Sequence, residues 1–441
     1  MDVAGRLARD RLLFANAVRK SVASDFANDV RKPVEGELMD VPAHRPPAAV
    51  LTALSLAVLS YGLMQTMLVP AIGAVQRDLD TGPAAASWAV LSAPLLAGAL
   101  LTPPAGWLAD RYGRKRVLLC ALALHLAGTL GAISAPDIGA LIACRAVQGV
   151  SLALLPLSLA VVREAVPADR VPFGVALLAG LFTGTAGAGL LLGGLLSDHA
   201  SWRWLFVVGA VVVTAALAAT AAFVPARRPA PRAPGGVRSL LTHRPLAIAH
   251  LGAFLLGVNQ FMLYALLPRL AESTAGHGFG ATVTGAALML LPGTLITIPV
   301  SWSVARIGRA VGTRVPFAAG LALAAGGAAL LAFVHGSLVQ VGAVYLISSV
   351  GYGLAMAALP RLVDEASPPA HSGAANSVNA VARTIGGAIG GQVAAFALAA
   401  FTVPATTIPT DTAYVVAFLV AAAVLVPAVL IARLRTTPVS R

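Results

Sequence analysis

The chain has 441 residues, of which 58% are hydrophobic and 11% are charged, and its mean hydropathy is +0.83. This composition is too apolar for a soluble globular protein, and the chain is far longer than one membrane span requires, so it predicts a polytopic membrane protein. The net charge of +13 does not indicate nucleic-acid binding, because the basic residues lie in short loops and tails without interleaved aromatic residues.

The first 46 residues precede the apolar segments and carry eight basic and seven acidic residues. We expect residues 1–46 to form a disordered cytoplasmic tail. The alternative is an interfacial helix on a weak apolar stripe formed by Leu7, Phe14, Val18 and Val22. Met39 is an alternative start of the protein. No cleavable signal peptide is recognisable, so we expect the first span to remain as an anchor.

Twelve apolar segments follow, and each is close to the length of about 20 residues that a helix needs to cross a bilayer. They show none of the alternation expected of a strand barrel. The sequence therefore predicts an all-α protein with twelve transmembrane helices at roughly 48–75, 87–109, 115–134, 138–162, 172–196, 203–224, 245–270, 282–305, 312–334, 338–362, 373–402 and 412–433.

One long loop, at 225–244, interrupts this series, and its Pro, Gly and Arg content is typical of a cytoplasmic linker. It divides the chain into two predicted six-helix bundles at 47–224 and 245–435, followed by a short tail at 436–441.

The two bundles resemble each other in sequence. Residues 148–167 parallel 349–368 in their glycines and in a late proline, and "RYGRKRV" at 111–117 is echoed by "RIGRAVG" at 306–312. Both offsets are close to 200 residues, as expected for a parallel duplication. Two six-helix repeats around a central cavity are the architecture of a transporter.

The basic residues also set the expected orientation. If the N-terminus is cytoplasmic, all but five of the 31 Lys and Arg residues lie on the cytoplasmic side. Three lie outside (Arg77, Arg203 and Arg269), and two lie within spans (Arg145 and Arg383). The reverse orientation would reverse this ratio, so both termini are predicted to be cytoplasmic.

A charged cluster at 110–116 lies between the second and third spans. We expect Gly106 to allow a close helix approach and the basic members to face anionic headgroups: Arg111, Arg114, Lys115 and Arg116. Asp110 is acidic and would not be attracted to anionic headgroups. Because the eleventh span begins near Ser372 on the same side, its positive N-terminal dipole is the predicted partner of Asp110. Such a contact would join the two halves and break when the inner gate opens.

This stretch resembles the loop signature of the major facilitator superfamily, G-x-L-A-D-R-x-G-R-K, which is matched at Gly106, Leu108, Ala109, Asp110, Arg111, Gly113, Arg114 and Lys115. "RAVQG" resembles the family's fourth-helix motif through Arg145, Gln148 and Gly149. The junction at 197–206 is similar to that of the drug:proton antiporter branch. The resemblance covers about 48–435. It implies a secondary transporter of the bacterial inner membrane that exports drug-like or secondary-metabolite molecules by alternating access, with proton antiport.

Two departures from the branch pattern affect this expectation. The fifth-helix motif reads "GLLLGG" at 189–194, with Leu190 where the branch has proline. Its glycines still predict one small-residue face for tight packing, formed by Gly180, Gly184, Gly187, Gly189, Gly193 and Gly194. The first span is neutral, so substrate contacts there would come from Gln65 or Thr66.

Charged groups at membrane depth are costly and therefore functional candidates. The 18 acidic residues all map to tails, loops or helix ends. Arg145 cannot carry a proton, but it could tune a neighbour or hold an anionic substrate; the alternative is a structural hydrogen-bonding role. Arg383 has the same two interpretations. The remaining candidates for proton coupling are less favoured than interfacial or structural roles: His125, Glu164, Asp364, Glu365, Asp78 and Asp198.

The family resemblance implies that the first, fourth, seventh and tenth helices line the cavity. Asn259, Gln260 and Tyr264 then become candidates in the seventh helix, either for substrate contact or for interhelical hydrogen bonds. A cavity with few charges and several Met, aromatic and amide groups suits apolar or amphipathic solutes.

The partners expected for this chain are a small-molecule substrate, a coupling proton and the lipid bilayer, with a monomer as the working unit and no nucleic acid. We predict no catalytic residue, no metal site and no cofactor, because the spans contain no paired carboxylates and no histidine pair. The alternative function is an uptake transporter or an uncoupled facilitator on the same fold.

Overall fold

The computed structural model describes residues 46–226, 244–274, 278–367, 372–403 and 408–433. The N-terminal tail up to residue 45, Met39 within it, most of the linker at 225–244 and the tail at 436–441 therefore lie outside the described residues. The predictions for these segments remain predictions.

Twelve of the described helices are long and apolar enough to cross a membrane, which confirms the predicted number of spans. They are α1 (Pro47–Thr66), α2 (Pro83–Tyr112), α3 (Arg114–Ile133), α4 (Ile138–Ala165), α5 (Val171–His199), α6 (Arg203–Phe223), α7 (Arg244–Glu272), α8 (Val283–Val311), α9 (Arg314–Leu331), α10 (Leu338–Ala366), α11 (Ser372–Ala400) and α12 (Asp411–Arg433).

The first helix is shorter than the predicted span at 48–75. It ends at Thr66, and a separate short helix, Ile72–Asp78, precedes α2. Pro70 lies between them. Proline has no backbone N–H and disfavours helical conformation in the residue before it, so it interrupts the helix. The apolar run continues through the break, and apolarity alone therefore gave the wrong boundary.

Two helices of the first half contain irregular turns. A π-helical turn lies in α2 at Trp88–Ser92, and a 3₁₀ turn lies in α4 at Gly149–Ala153. The two helices pack backbone to backbone beside these turns, since a Cβ added at Gly98 would lie 2.7 Å from the Gly149 carbonyl oxygen. The contact therefore requires glycine at both positions.

The internal duplication is visible where the second helix of each half meets the third. Gly113 joins α2 to α3 with φ 96°, and Gly312 lies between α8 and α9 with φ 85°. Both glycines adopt a backbone that side chains disfavour. The sequence comparison paired Gly113 with Gly308 instead, and that pairing is wrong by four residues because Gly308 lies inside α8. The parallel between 148–167 and 349–368 falls on equivalent parts of α4 and α10.

The two halves, α1–α6 and α7–α12, meet at several helix contacts. Helix α2 packs against α11, α5 packs against α8, and the short helix Ile72–Asp78 packs against α7. We name the two ends of the bundle after an acid at each. The Asp78 end contains the short helix Ile72–Asp78, and the Asp110 end contains the α2–α3 junction. The predicted orientation makes the Asp78 end extracellular and the Asp110 end cytoplasmic.

Candidate functional site

The basic residues after the α2–α3 junction bind helix ends. Arg114 forms an ion pair with Glu164 of α4, with 2.9 Å between Nη1 and Oε1, and also donates to the Ala160 carbonyl at 2.7 Å. Lys115 donates to the Ala221 carbonyl near the end of α6 at 2.8 Å. The prediction that these two side chains face lipid headgroups remains a prediction. They stabilise the carbonyl ends of neighbouring helices, where cations are favoured.

The other members of the loop signature differ in their surroundings. The Arg111 guanidinium lies 5.5 Å from the Trp107 ring centroid and 5.6 Å from that of Tyr112, within cation–π range. A Cβ at Gly106 would meet no heavy atom within 4 Å, so the predicted close helix approach at Gly106 is wrong in this conformation. The predicted contact of Asp110 with the start of α11 involves 368–374, whose loop and side chains lie outside the described residues.

Arg145 holds the π-helical turn of α2. Its side chain is buried, and it donates from Nη2 to the Val90 carbonyl at 2.9 Å and from Nε to the Ala89 carbonyl at 3.3 Å. A π turn displaces backbone bonds from the α pattern and so provides carbonyls for another donor. The third donor, Nη1, binds Gln148 Oε1 at 2.6 Å. The geometry supports the structural alternative for Arg145.

A polar chain continues from Arg145 towards α3. Gln148 donates to Thr129 Oγ1 at 2.8 Å, and Thr129 donates to the His125 carbonyl at 2.7 Å. The imidazole of His125 is fully buried, and its two nitrogens have no hydrogen-bond partner among the described residues. The fourth-helix motif thus joins α2, α3 and α4 into one hydrogen-bonded unit.

The glycines of α5 face two different helices. Gly189 packs on Thr66 of α1, and Gly193 packs on the Met67 carbonyl. Gly194 faces the other half instead, where an added Cβ would lie 2.7 Å from Thr284 Cα of α8. Added Cβ atoms at Gly180 and Gly184 would meet open space. The prediction of one small-residue face is therefore wrong, because two tightly packed faces serve two neighbours.

The same arrangement recurs in α11, where the sequence analysis overlooked it. Gly386 and Gly390 pack on backbone carbonyls of α7, from Phe254 and Val258, and Gly391 faces α2 of the other half. The available signal was the repeat of "GLLLGG" at 189–194 as "GGAIGG" at 386–391. Both helices thus use glycines for packing within their own half and across the interface.

Polar contacts close the Asp78 end. Glu272 at the end of α7 pairs with Arg77 of the first half at 3.4 Å, and the Glu272 side chain is only 5% exposed. The Asp198 carboxylate, at the end of α5, accepts from the backbone N–H groups of Val283 at 3.0 Å and Thr284 at 2.7 Å. This carboxylate therefore caps the N-terminus of α8 from across the interface. Glu272 was not among the predicted candidates.

A second polar contact at this end stays within the first half. The Asp78 carboxylate accepts from Trp202 Nε1 at 3.0 Å and forms an ion pair with Arg203. The hydrogen bond from Arg203, assisted by that from Trp202, outweighs partial burial and lowers the pKa of the Asp78 carboxyl. Asp78 therefore ties the loop after α1 to the start of α6.

Hydrogen bonds also join the halves between their ends. Ser87 Oγ of α2 donates to the Gly391 carbonyl of α11 at 2.8 Å, and Ser92 Oγ donates to the Ala388 carbonyl at 2.7 Å. Gln392 Nε2 returns a bond to Ser92 Oγ at 3.0 Å. Small side chains and glycine let α2 and α11 approach closely enough for these bonds.

Several predicted cavity residues are bound to other helices. Thr66 donates to the Thr185 carbonyl of α5 at 3.0 Å. Asn259 donates to the Ala421 carbonyl of α12 at 2.9 Å, and Gln260 Nε2 lies 3.4 Å from the Tyr345 hydroxyl of α10. These contacts favour the interhelical alternative for Asn259 and Gln260, and they give Thr66 a structural contact as well. The Tyr264 ring packs edge-on against a neighbouring ring in its own helix.

Gln65 and Arg383 differ from those three residues. The Gln65 Nε2 atom is buried and has no acceptor among the described residues. Arg383 is half-buried, and within the described residues its side chain has neither an ion pair nor a hydrogen bond. Both remain candidates for substrate contact. No group of three or more His, Cys, Asp or Glu residues in the described ranges could hold a metal ion.

Comparisons with known proteins agree with this fold. A crystal structure of the nucleoside transporter NupG superimposes with a TM-score of 0.69 and covers 87% of this chain and 98% of that one. The two sequences are 15% identical, so this likeness concerns the fold alone.

Sequence relatives include proteins named for drug resistance. The chain is 37% identical over 173 residues to the puromycin resistance protein pur8 of Streptomyces alboniger, covering 38% of this chain and 33% of that protein. It is 31% identical over 175 residues to the tetracenomycin C resistance and export protein of Streptomyces glaucescens, covering 39% and 32%. The chain thus spans about a third of the length of these relatives.

The family model described as Major Facilitator Superfamily matches residues 54–391, which is well over half of the chain. The matched region runs from α1 into α11 and includes both halves of the interface. The protein therefore belongs to the major facilitator superfamily, a family of transporters rather than enzymes, and is a multi-pass protein of the bacterial inner membrane with relatives in the drug-efflux branch.

Proposed function

We propose that this protein exports drug-like or secondary-metabolite small molecules from the cell by alternating access, coupled to proton antiport. The substrates are apolar or amphipathic, and one chain suffices because it contains both six-helix halves. The names of the relatives support export, since one is a resistance protein and another a resistance and export protein. Efflux driven by an ion gradient also fits a chain in which no nucleotide-binding motif is evident.

The observation that carries the proposal is the closure of the Asp78 end by contacts between halves. The Arg77–Glu272 ion pair and the Asp198 cap on α8 both cross the interface. Neither can persist if the halves separate there to release a solute. In alternating access these contacts break in one state and form in the other, while the Asp110 end does the reverse.

Chemical cross-linking tests this movement. Arg77→Cys with Glu272→Cys, in a chain whose Cys120 and Cys144 are replaced by Ala, is joined by a short bifunctional thiol reagent in liposomes. We expect cross-linking to abolish gradient-driven transport. The matched control joins His335→Cys to Asp411→Cys, a charged contact within the second half at the same end, and should keep transport. Transport that continues after complete cross-linking of the first pair would refute alternating access through this end.

An uncoupled facilitator is the second candidate, and one observation favours it. The acids of the described spans lie near helix ends, whereas proton-coupled transporters commonly use carboxylates at membrane depth. Purified protein in liposomes with an imposed pH gradient separates the two functions. Accumulation of solute against its own gradient supports antiport, and equilibration that ignores the pH gradient supports the facilitator.

A further inference from the structure

Arg383 differs from the other buried or half-buried arginines among the described residues. Arg145 has carbonyl and amide acceptors for its donors, and Arg269 donates to the Pro83 carbonyl at 2.9 Å. The Arg383 guanidinium has no carboxylate and no acceptor among the described residues. A cation within a membrane span normally has a partner or faces water, because leaving it uncompensated is costly.

The surroundings of Arg383 place it between the two halves. Arg383 belongs to α11, and the Tyr61 hydroxyl of α1 lies within electrostatic range of it and of Tyr352 in α10. The Tyr61 ring stacks on the Phe182 ring of α5, with centroids 5.4 Å apart and planes at 6°. The first half therefore brings an aromatic pair, from α1 and α5, to the same region as the cation of α11.

A second donor without an acceptor lies beside this aromatic pair. Gln65 follows Tyr61 by four residues in α1, so both side chains project from the same helix face. The Gln65 Nε2 atom is buried and has no acceptor among the described residues. Thr66, the next residue, has its acceptor in the Thr185 carbonyl. The region thus presents two unsatisfied donors and one aromatic surface.

A ligand that complements these groups must supply acceptors. Guanidinium binds carboxylates and other anionic or carbonyl oxygens through paired hydrogen bonds, and an amide N–H₂ donates to the same groups. An aromatic pair offers a flat face on which a ring of the ligand can stack. A cationic ligand would be repelled by Arg383, since no carboxylate pairs with this guanidinium among the described residues.

We infer that the transported solutes are planar aromatic molecules that carry an anionic or carbonyl acceptor, with the acceptor bound by Arg383 and Gln65 and a ring packed against the Tyr61–Phe182 pair. Lipophilic cations of the same size are disfavoured. This inference rests on the proposed export function and names the substrate class of its cavity.

Two dyes with the same xanthene ring system and opposite charge test the inference. Binding of fluorescein, an anion, and of rhodamine 123, a cation, is measured by fluorescence anisotropy on the purified full-length protein. We expect the wild-type protein to bind fluorescein at least tenfold more tightly than rhodamine 123. Arg383→Gln should weaken fluorescein binding about tenfold, whereas its affinity for rhodamine 123 should be unchanged or higher. Arg383→Lys should lose less of its affinity for fluorescein. Arg309→Gln removes an exposed cation near the end of α8 and should change neither affinity.

The outcomes distinguish this inference from the proposed function. Three results would overturn the inference: the wild-type protein binds rhodamine 123 more tightly than fluorescein, it does not bind fluorescein, or wild type and Arg383→Gln have equal affinities for fluorescein. Gradient-driven transport of either dye by the wild-type protein in liposomes tests export separately. A protein that transports rhodamine 123 but not fluorescein keeps the export function and loses the inferred substrate class. A protein that binds fluorescein through Arg383 but transports neither dye against a gradient keeps the inferred class of ligand and loses the export function.

Discussion

Helices α5 and α11 occupy equivalent places in the two halves. Glycines of both helices pack within their own half and also face the other half. Gly193 of α5 packs on the Met67 carbonyl just after α1, and Gly390 of α11 packs on the Val258 carbonyl of α7, so each contacts a backbone carbonyl of its own half. The next residues, Gly194 and Gly391, each face a helix of the other half. The residues between the glycines differ, "LLL" against "GAI", so the duplication preserved the contact positions more strictly than the residues around them.

The polar contacts at the Asp110 end show the opposite pattern. The residue after Gly113 is Arg114, which forms an ion pair with Glu164 at the end of α4. The residue after Gly312 is Thr313, whose hydroxyl donates to Glu365 at the end of α10 at 2.5 Å. The position of the contact is preserved, but a cation makes it in the first half and a hydroxyl group makes it in the second. A backbone contact tolerates no added atom, whereas a side-chain contact can change its chemistry.

The largest expected effects come from filling the contacts within each half. In Gly193→Ala and Gly390→Ala the new methyl group meets a backbone carbonyl that cannot rotate away, and overpacking of this kind costs about 1–3 kcal/mol. We expect a clearly lower thermal unfolding midpoint for both variants in detergent. Gly180→Ala is the control, because its methyl group enters open space, and it should be neutral or slightly stabilising. Equal midpoints for all three variants would contradict the comparison.

A smaller effect is expected across the interface, and it should differ between the halves. A Cβ at Gly194 would lie 2.7 Å from Thr284 Cα, whereas a Cβ at Gly391 would first meet side-chain atoms at 3.3 Å. Side chains can yield by a few tenths of an ångström, but the backbone of α8 cannot. We expect Gly194→Ala to lower the rate of transport about tenfold, equivalent to about 1.4 kcal/mol, and Gly391→Ala to stay within about twofold. A greater loss in Gly391→Ala would reverse the proposed asymmetry.

The glutamates at the ends of α4 and α10 give a third comparison. Glu164→Gln removes a partly exposed ion pair with Arg114, which is worth at most about 1 kcal/mol and weakens with salt. Glu365→Gln keeps a carbonyl oxygen that can accept from Thr313, so its cost should be smaller and independent of salt. Unfolding of both variants at low and high ionic strength measures the difference. A salt-dependent loss in Glu365→Gln alone would show that the chemistry of the two contacts is misassigned.

The smallest expected effect is a pH dependence specific to the first half. The pKa of the Asp78 carboxyl is lowered chiefly by its hydrogen bond with Arg203. The stabilisation is therefore fully present above the ordinary carboxyl pKa of about 4, and it is lost as pH falls through the lower pKa of the folded state. Both side chains are about one-third to one-half exposed, so the effect should be a fraction of 1 kcal/mol. The difference in unfolding midpoint between wild type and Asp78→Asn should shrink between pH 5 and pH 3, and a constant difference would contradict this assignment.

Much of the fold could be predicted because its signals are local or repeated. Apolar length gave twelve spans, and the loop signature around Asp110 gave the family. The break after Thr66 was missed because Val69 and Pro70 are themselves apolar. The register of the repeat was also missed, because "RIGR" matches "RYGR" by letter although the junction glycine is Gly312.

The candidate site was less predictable because its members depend on neighbours far along the chain. Arg145 was a sound candidate for a buried charge, but only the π turn of α2 explains its acceptors. Glu272 was overlooked because a glutamate at a helix end is usually exposed. Its burial depends on Arg77 and Gly73, about 200 residues earlier.

The sequence by itself determined the organisation of this protein in a bilayer: twelve helices, two related halves and a charged junction after α2. Those properties follow from hydropathy and from short motifs, which act within one helix or one turn. The tertiary structure decided which glycines face which half, which carboxylates cross the interface and which donors remain for a ligand. Those properties depend on distances between helices, and one added methyl group or one turn of register is enough to change them.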